Sequence, residues 1–432
     1  MDYKDLGSLD WNLYMLKNAI RQSEEMQCEK IDETIAKVNA MLNESFNEFL
    51  TLKVPNELDE EEPNDYEAIL KKCPVGSKKL WDNVPDDFSK KLKGALLGRF
   101  AGCTLGAPVE GWSAKDIEAY ANELGLEFPL TDYWTATKHA GMKRYIVSDF
   151  VDYLKQNLTC VPNDDDVAFV ILSMLIMKEG KGKNFDLDDV AKTWQKYVTM
   201  AYTAEEVALQ NMKNGVTPEH AAEVNNPYQE WIGADIRCDG YAYAAAGDPR
   251  LAAKMAYTDA YLTHRKNGIY GSMFFAATIS AAFALGDPME ALKAGLLEIP
   301  ENCRLANDIK WAFSKLDEVK TYKDAIRLVD ERYPKMHIVH TLNNAILTVF
   351  AIHLGENDIA KAFSNAVAMA HDCDCTAATV GSIMGACYGI DNLDEKWYKP
   401  FGDRVLCFYN GPKEYSINSL LEFFEEEARK GC

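Results

Sequence analysis

Apolar residues recur at every third or fourth position through most of this chain, and alternating runs that would suggest half-buried strands are almost missing. Leu13, Leu16 and Ile20, then Ile31, Ile35, Val38 and Leu42, trace the apolar faces of N-terminal helices. Asn56–Asp65 follows, an acidic, proline-containing stretch that reads as a surface connection. Beyond Pro85 the segments become small, apolar and glycine-rich. Long helical candidates lie at about 166–178, 189–212, 251–262, 269–285, 340–354, 357–370 and 376–389. The pattern predicts an all-α protein. A helical extension with its acidic linker occupies residues 1–85, and one large helical domain occupies residues 86–432.

Composition narrows the function. The 432 residues are 47% hydrophobic and 26% charged, the balance of a soluble globular protein. The 46 Lys+Arg against 67 Asp+Glu leave a net charge of −21. Bulk electrostatics therefore argue against nucleic acid or an anionic membrane as partner. A small anionic substrate would need a local cationic device such as a bound metal. The charged start, Met-Asp-Tyr-Lys-Asp, has no apolar stretch behind it, so no secretory signal is expected. Residues 268–286 are uncharged but contain Gly271, Ser272, Thr278 and Ser280, which favours a buried core helix over a membrane span. Eleven cysteines without framework spacing point to reduced thiols and a cytoplasmic location.

Four segments look chosen for chemistry. Gly94, Gly98, Gly102 and Gly106 repeat at i+4 on one helix face, although glycine in a helix interior costs about 0.8–1 kcal/mol relative to alanine. Close backbone approach to another helix supplies a reason, and Pro108 then stops the helix just before Glu110. Asn163-Asp164-Asp165-Asp166 opens a helix that is apolar all round, more acid than capping alone requires. His371-Asp372-Cys373-Asp374-Cys375 precedes a second helix with Gly381, Gly385 and Gly389 at i+4. If that helix starts only after Asp374, Asp372 and Asp374 point the same way from an extended segment. Carboxylates converging at about 5 Å would repel by roughly 3 kcal/mol per pair at an effective dielectric of 20, so such a cluster calls for protonation or cations. An oxygen-rich donor set suits Mg²⁺, Mn²⁺ or Ca²⁺. The fourth segment, Thr263-His264-Arg265-Lys266-Asn267-Gly268-Ile269-Tyr270-Gly271, is a glycine-containing turn into a helix and a candidate phosphate seat, without Walker-loop spacing.

The order of these four elements resembles the ADP-ribosylglycohydrolase family over roughly residues 90–410, and residues 225–259 resemble its bacterial, dinitrogenase reductase-activating glycohydrolase-like branch. The resemblance implies an all-α orthogonal bundle with a cleft holding two Mg²⁺, Mn²⁺ being the alternative. It also implies metal-dependent hydrolysis at C1 of an ADP-linked ribose in a small-molecule or protein-linked substrate. Carried over by position, Asn163, Asp164, Asp165, Asp372, Asp374 and Cys375 match the metal elements. Glu110, Asp165 and Asp374 are the catalytic candidates. Gly233, Ala234, His264, Gly268, Tyr270 and Gly271 match substrate-lining stretches, and Trp112, Tyr133, Trp134 and Trp231 join Tyr270 as candidates to pack on the base or ribose. Four departures stand out, the first being Asn163, which replaces a threonine but keeps an oxygen donor. Cys375 replaces a threonine with a poor magnesium ligand, Cys103 sits where aspartate is common, and the substrate loop is reduced to Gly233-Ala-Asp-Ile-Arg237. Arginine, serine, other side chains and free metabolites all stay open as acceptor. Two further readings are a His-Asp-type metal phosphohydrolase using His337, His340 and His371-Asp372, and a family member that binds ADP-ribose without turnover.

Overall fold

A computed structural model describes residues 3–76 and 78–430. The chain divides into two compact units, Met1–Asn56 and Glu57–Cys432. The first holds helices Gly7–Glu25 and Ile31–Leu50, neither of which buries a residue. The second takes in residues 57–85, which the sequence pattern groups with the extension. Asn56–Asp65 is no bare surface connection there. Asn56–Glu61 is helical, and the fully buried Glu62 pairs with Arg304 through Oε2 and Nη2 at 2.8 Å. Buried Ile69 anchors the next helix, Tyr66–Lys72, and the Leu80 N–H donates to the Gly247 carbonyl at 2.7 Å.

The large unit is all-α, with two short antiparallel ribbons, Lys143–Arg144 with Ser148–Asp149 and Val405–Leu406 with Glu414–Tyr415. Its core is one continuous apolar cluster threaded by helices buried on every side. Asn267–Leu285 is among them. By length and composition that helix could cross a membrane, yet 89% of its apolar window is buried inside the protein.

The glycine pattern explains the central contact. Phe88–Gly106 and Cys373–Tyr388 lie against each other so closely that no side chain fits between them. A methyl group on Gly94 would stand 2.6 Å from the Gly389 carbonyl carbon, and one on Gly98 would stand 2.5 Å from the Gly381 carbonyl oxygen. Gly102 meets the Ala377 backbone and Gly106 meets the backbone of Asp374 at still closer range. The glycines that look costly on each helix are thus where the other helix's backbone sits, and the seam ends on Asp374.

One predicted helix is two. The 189–212 pattern breaks into Leu187–Tyr197 and Thr203–Lys213. The Asn410 N–H donates to the Tyr197 carbonyl at 2.8 Å, taking the acceptor a continuing helix would use. Thr203, at φ +48°, then restarts the chain in a new direction.

Candidate metal centre

Three chain ends deliver acids to one place. Pro108 sits in a short 3₁₀ turn, Ala107–Val109, that closes the glycine helix, and Glu110 follows with an extended backbone. Asp164 caps helix Asp165–Glu179, its side chain accepting the Asp166 N–H at 3.1 Å. Ala370 and His371, at φ +60° and +61°, turn the chain so that Asp372 becomes the N-cap of helix Cys373–Tyr388. The condition under which Asp372 and Asp374 would point the same way from an extended segment, a helix starting only after Asp374, is therefore not met. The left-handed pair completes the turn earlier, the helix begins at Cys373, and Asp374 lies in its first turn.

Carboxylate oxygens of Glu110, Asp372 and Asp374 fall within 4.8 Å of one another, as do ligand atoms of Asp166, Asp374 and Cys375 and of Cys103, Asp164 and Asp166. Into this cluster reaches Arg144, from the first strand of the 143–149 ribbon. Its Nε donates to Asp164 Oδ2 at 2.9 Å, its Nη1 to Glu110 Oε2 and its Nη2 to Asp374 Oδ2, both at 2.5 Å. The neighbouring Tyr145 hydroxyl donates to Asp165 Oδ1 at 2.7 Å. Burial, with the neighbouring acids, holds the carboxyls of Asp164 and Asp372 well above the usual range; at Asp164 the Arg144 charge pulls the other way. Desolvation and the Asp374 charge likewise raise Glu110, against Arg144.

The donors fit a hard divalent cation. Among the described residues Asn163 Oδ1, Asp166 Oδ2, Asp372 Oδ1 and Asp374 Oδ1 are buried without a hydrogen-bond partner, a cost that a cation would offset. Asn163 has its amide nitrogen on Ser148 Oγ at 2.9 Å, which leaves its oxygen free. Burial pushes the Cys375 thiol well up, and sulfur is a poor match for a hard cation.

The cluster forms one wall of a cavity of about 390 Å³, lined also by Lys143, Tyr145, Tyr202, Glu205, Trp231, Gly233 and Phe408. This volume lies in the range of small-molecule sites.

The pattern of the ADP-ribosylglycohydrolase family matches residues 84–425. The chain belongs to that family. Membership implies a glycohydrolase acting on ADP-ribosyl compounds, in a family that is generally metal-dependent. The fold agrees. A solved ADP-ribosylglycohydrolase-related protein complex is similar at TM-score 0.52 and 17% identity, over 80% of this chain and 99% of the other. No curated protein matches the chain.

Against the family resemblance, Glu110, Asp165, Asp372, Cys375 and Gly233 line the cavity, while Asn163, Asp164 and Asp374 lie just behind that wall. Ala234, His264, Gly268, Tyr270 and Gly271 are fully buried and do not line it. Gly268 packs under the Gln229 carbonyl, Gly271 meets the Asp235 carboxylate, and the Tyr270 hydroxyl donates to the Pro63 carbonyl. The candidate phosphate seat is filled by the protein itself. Glu230 accepts from the Asn267 side chain at 2.9 Å, Arg265 pairs with Glu223 and Lys266 with Asp59. Of the aromatic candidates only Trp231 faces the cavity, stacked on His337 with ring centroids 4.1 Å apart. Trp112, Tyr133 and Trp134 pack elsewhere, Tyr133 on Trp397 and Trp134 on Tyr120. No histidine joins the candidate ligand groups among the described residues, which leaves the His-Asp reading without its site.

Sequence reasoning missed Arg144, Tyr145 and Glu205. Glu205 reaches the cavity from helix Thr203–Lys213, bonded to Arg237 Nη1 at 2.8 Å. Burial pushes its carboxyl up to about 7 against the pull of Arg237. Gly233 is the residue that makes room for it, since a methyl group there would overlap the Glu205 carboxylate. Neither the Lys143-Arg144-Tyr145 stretch nor Glu205 carries a periodic or spacing signal.

Proposed function

We propose that this protein hydrolyses the N- or O-glycosidic bond at C1 of an ADP-linked ribose, releasing ADP-ribose, with Mg²⁺ or Mn²⁺ as cofactor. The observation that carries the reading is the set of buried, unpartnered acid oxygens at and behind one wall of a cavity in a member of this family. When bound, the cation supplies the positive charge that orients ribose hydroxyls and water. The remaining steps belong to the chain. Glu110, on the cavity wall, takes the proton from the attacking water as the C1–N or C1–O bond breaks and passes it to the departing nitrogen or oxygen. Asp165 and Asp374 hold charge opposite the oxocarbenium-like transition state expected of a glycosidase. Trp231, Tyr202 and Phe408 offer flat faces to base and ribose, and Lys143 offers a positive charge to the diphosphate.

The test is Mg²⁺-dependent release of ADP-ribose from arginine-, serine- and small-molecule-linked substrates. The expected result is release from one class, with Glu110→Gln slowing turnover about 10²–10⁴-fold. Metal-dependent ADP-ribose binding with silence across the panel would replace this reading with that of a non-hydrolysing relative. Arg144, seated among the acids, is the observation on that side.

A further inference from the structure

We infer that the acid cluster holds one divalent cation rather than two, because Arg144 is the second cation, permanently tethered. The inference rests on the proposed metal-dependent function and refines its cofactor count.

Apart from Asp165, which accepts from the Tyr145 hydroxyl, the acid oxygens of the cluster fall into two sets. Glu110 Oε2, Asp164 Oδ2 and Asp374 Oδ2 all accept from the Arg144 guanidinium, which is 8% exposed. Asp166 Oδ2, Asp372 Oδ1 and Asp374 Oδ1 are buried with no nitrogen or oxygen donor on them, and only the Cys375 thiol acts on the Asp166 and Asp372 carboxyls. Asp166 spends its other oxygen on Arg99, at 2.7 Å. Among the described residues Asp372 has no ion pair. Asp374 belongs to both sets, one oxygen to each. The oxygens left for an ion therefore lie on the Asp166–Asp372–Asp374 side, and these are the residues that would hold it. On the Glu110–Asp164 side the oxygens a second ion would need are already engaged by Arg144.

Arginine suits a permanent post. It stays charged at any working pH, and its planar fork can serve several carboxylates at once. It is held from behind as well: Nη1 also reaches the Ala107 carbonyl at 3.4 Å, and Tyr145 beside it is pinned to Asp165. Tyr145 and Ile146 carry φ +51° and +66°, a conformation that non-glycine residues keep only when their surroundings enforce it. These two residues lie in the turn between the paired Arg144 and Ser148, which is what holds them there. The one-ion arrangement also adds Asp166 to the ligands and removes Asp164 from them.

The test is to count Mn²⁺ bound per full-length chain, by calorimetry and by the electron-paramagnetic-resonance signal of free Mn²⁺. Wild type is expected to bind one ion and Arg144→Met two. Tyr145→Phe, which keeps the guanidinium, stays at one. Circular dichroism checks folding, and Arg144→Gln serves if the methionine variant fails to fold. Two ions on wild type, or a folded Arg144 variant that remains at one, overturns the inference while leaving the hydrolase reading intact. No ion on wild type or on either variant overturns both.

Discussion

Replacing Gly98 with alanine tests the seam that builds the site. The added methyl would lie 2.5 Å from the Gly381 carbonyl oxygen and 3.0 Å from its carbonyl carbon. Ordinary contact for a carbon in this position begins at about 3.4 Å, so the helices must part locally by roughly 0.9 Å. Both neighbouring atoms are backbone, and no side chain can swing aside to absorb the strain. Overpacking of this kind costs about 1–3 kcal/mol. Alanine returns up to about 1 kcal/mol of helix propensity. With the full return the balance is a net loss of up to about 2 kcal/mol, whereas the same change on an exposed helix would be a gain of up to about 1 kcal/mol. The sign therefore discriminates. Urea unfolding followed by far-UV circular dichroism should show a lower midpoint with an unchanged slope. Mn²⁺ affinity should fall with it, because the seam continues through Gly102 and Gly106 to the backbone of Asp374. A variant more stable than wild type would refute the packing argument.

Arg99, fully buried between Asp166 and Asp239, should be costly to neutralise. Arg99→Met strands two buried carboxylates and should lose about 3–5 kcal/mol in urea titrations, and a loss below about 1 kcal/mol would contradict this. Glu205 should make stability depend on pH. Its folded carboxyl sits at about 7 and a free one near 4.3, so the folded state holds a proton that the unfolded state releases between those values. Its stabilising contribution is complete below about pH 4.3 and is lost as pH rises through 7, by at most about 1.4 kcal/mol per pH unit. Glu205→Gln should remove that slope from the stability–pH curve, and superimposable curves for the two proteins would count against it. Asp374→Asn should abolish metal binding and turnover while the protein stays folded, since Asp374 Oδ1 is one of the unpartnered oxygens. Calorimetry showing unchanged Mg²⁺ affinity in that variant would sink the assignment.

Much of the site can be seen in the linear chain because its signals are local. Four glycines at i+4, a proline two residues before Glu110 and acids stacked at a helix start each break a rule of propensity or burial within a few residues. The same logic fails for the substrate-side residues. Gly268 and Gly271 serve close packing against Gln229 and Asp235, a role that leaves the same mark in sequence as a ligand seat. The break at Val198–Tyr202, which brings Met200, Ala201 and Tyr202 to the cavity, is set by a hydrogen bond from Asn410 and lies outside any local window.

The sequence by itself determined the all-α class, the two glycine-faced helices and the acid elements, because helical periodicity and glycine's cost act between near neighbours. Only the tertiary structure decided that the two glycine faces meet each other and thereby draw Asp374 toward Glu110 and Asp164. It alone seats Arg144 among those acids from a ribbon with no periodic signal. Charge pairing between residues as far apart as Arg144 and Asp374 depends on where the folded backbone places them, and no spacing along the chain encodes that distance.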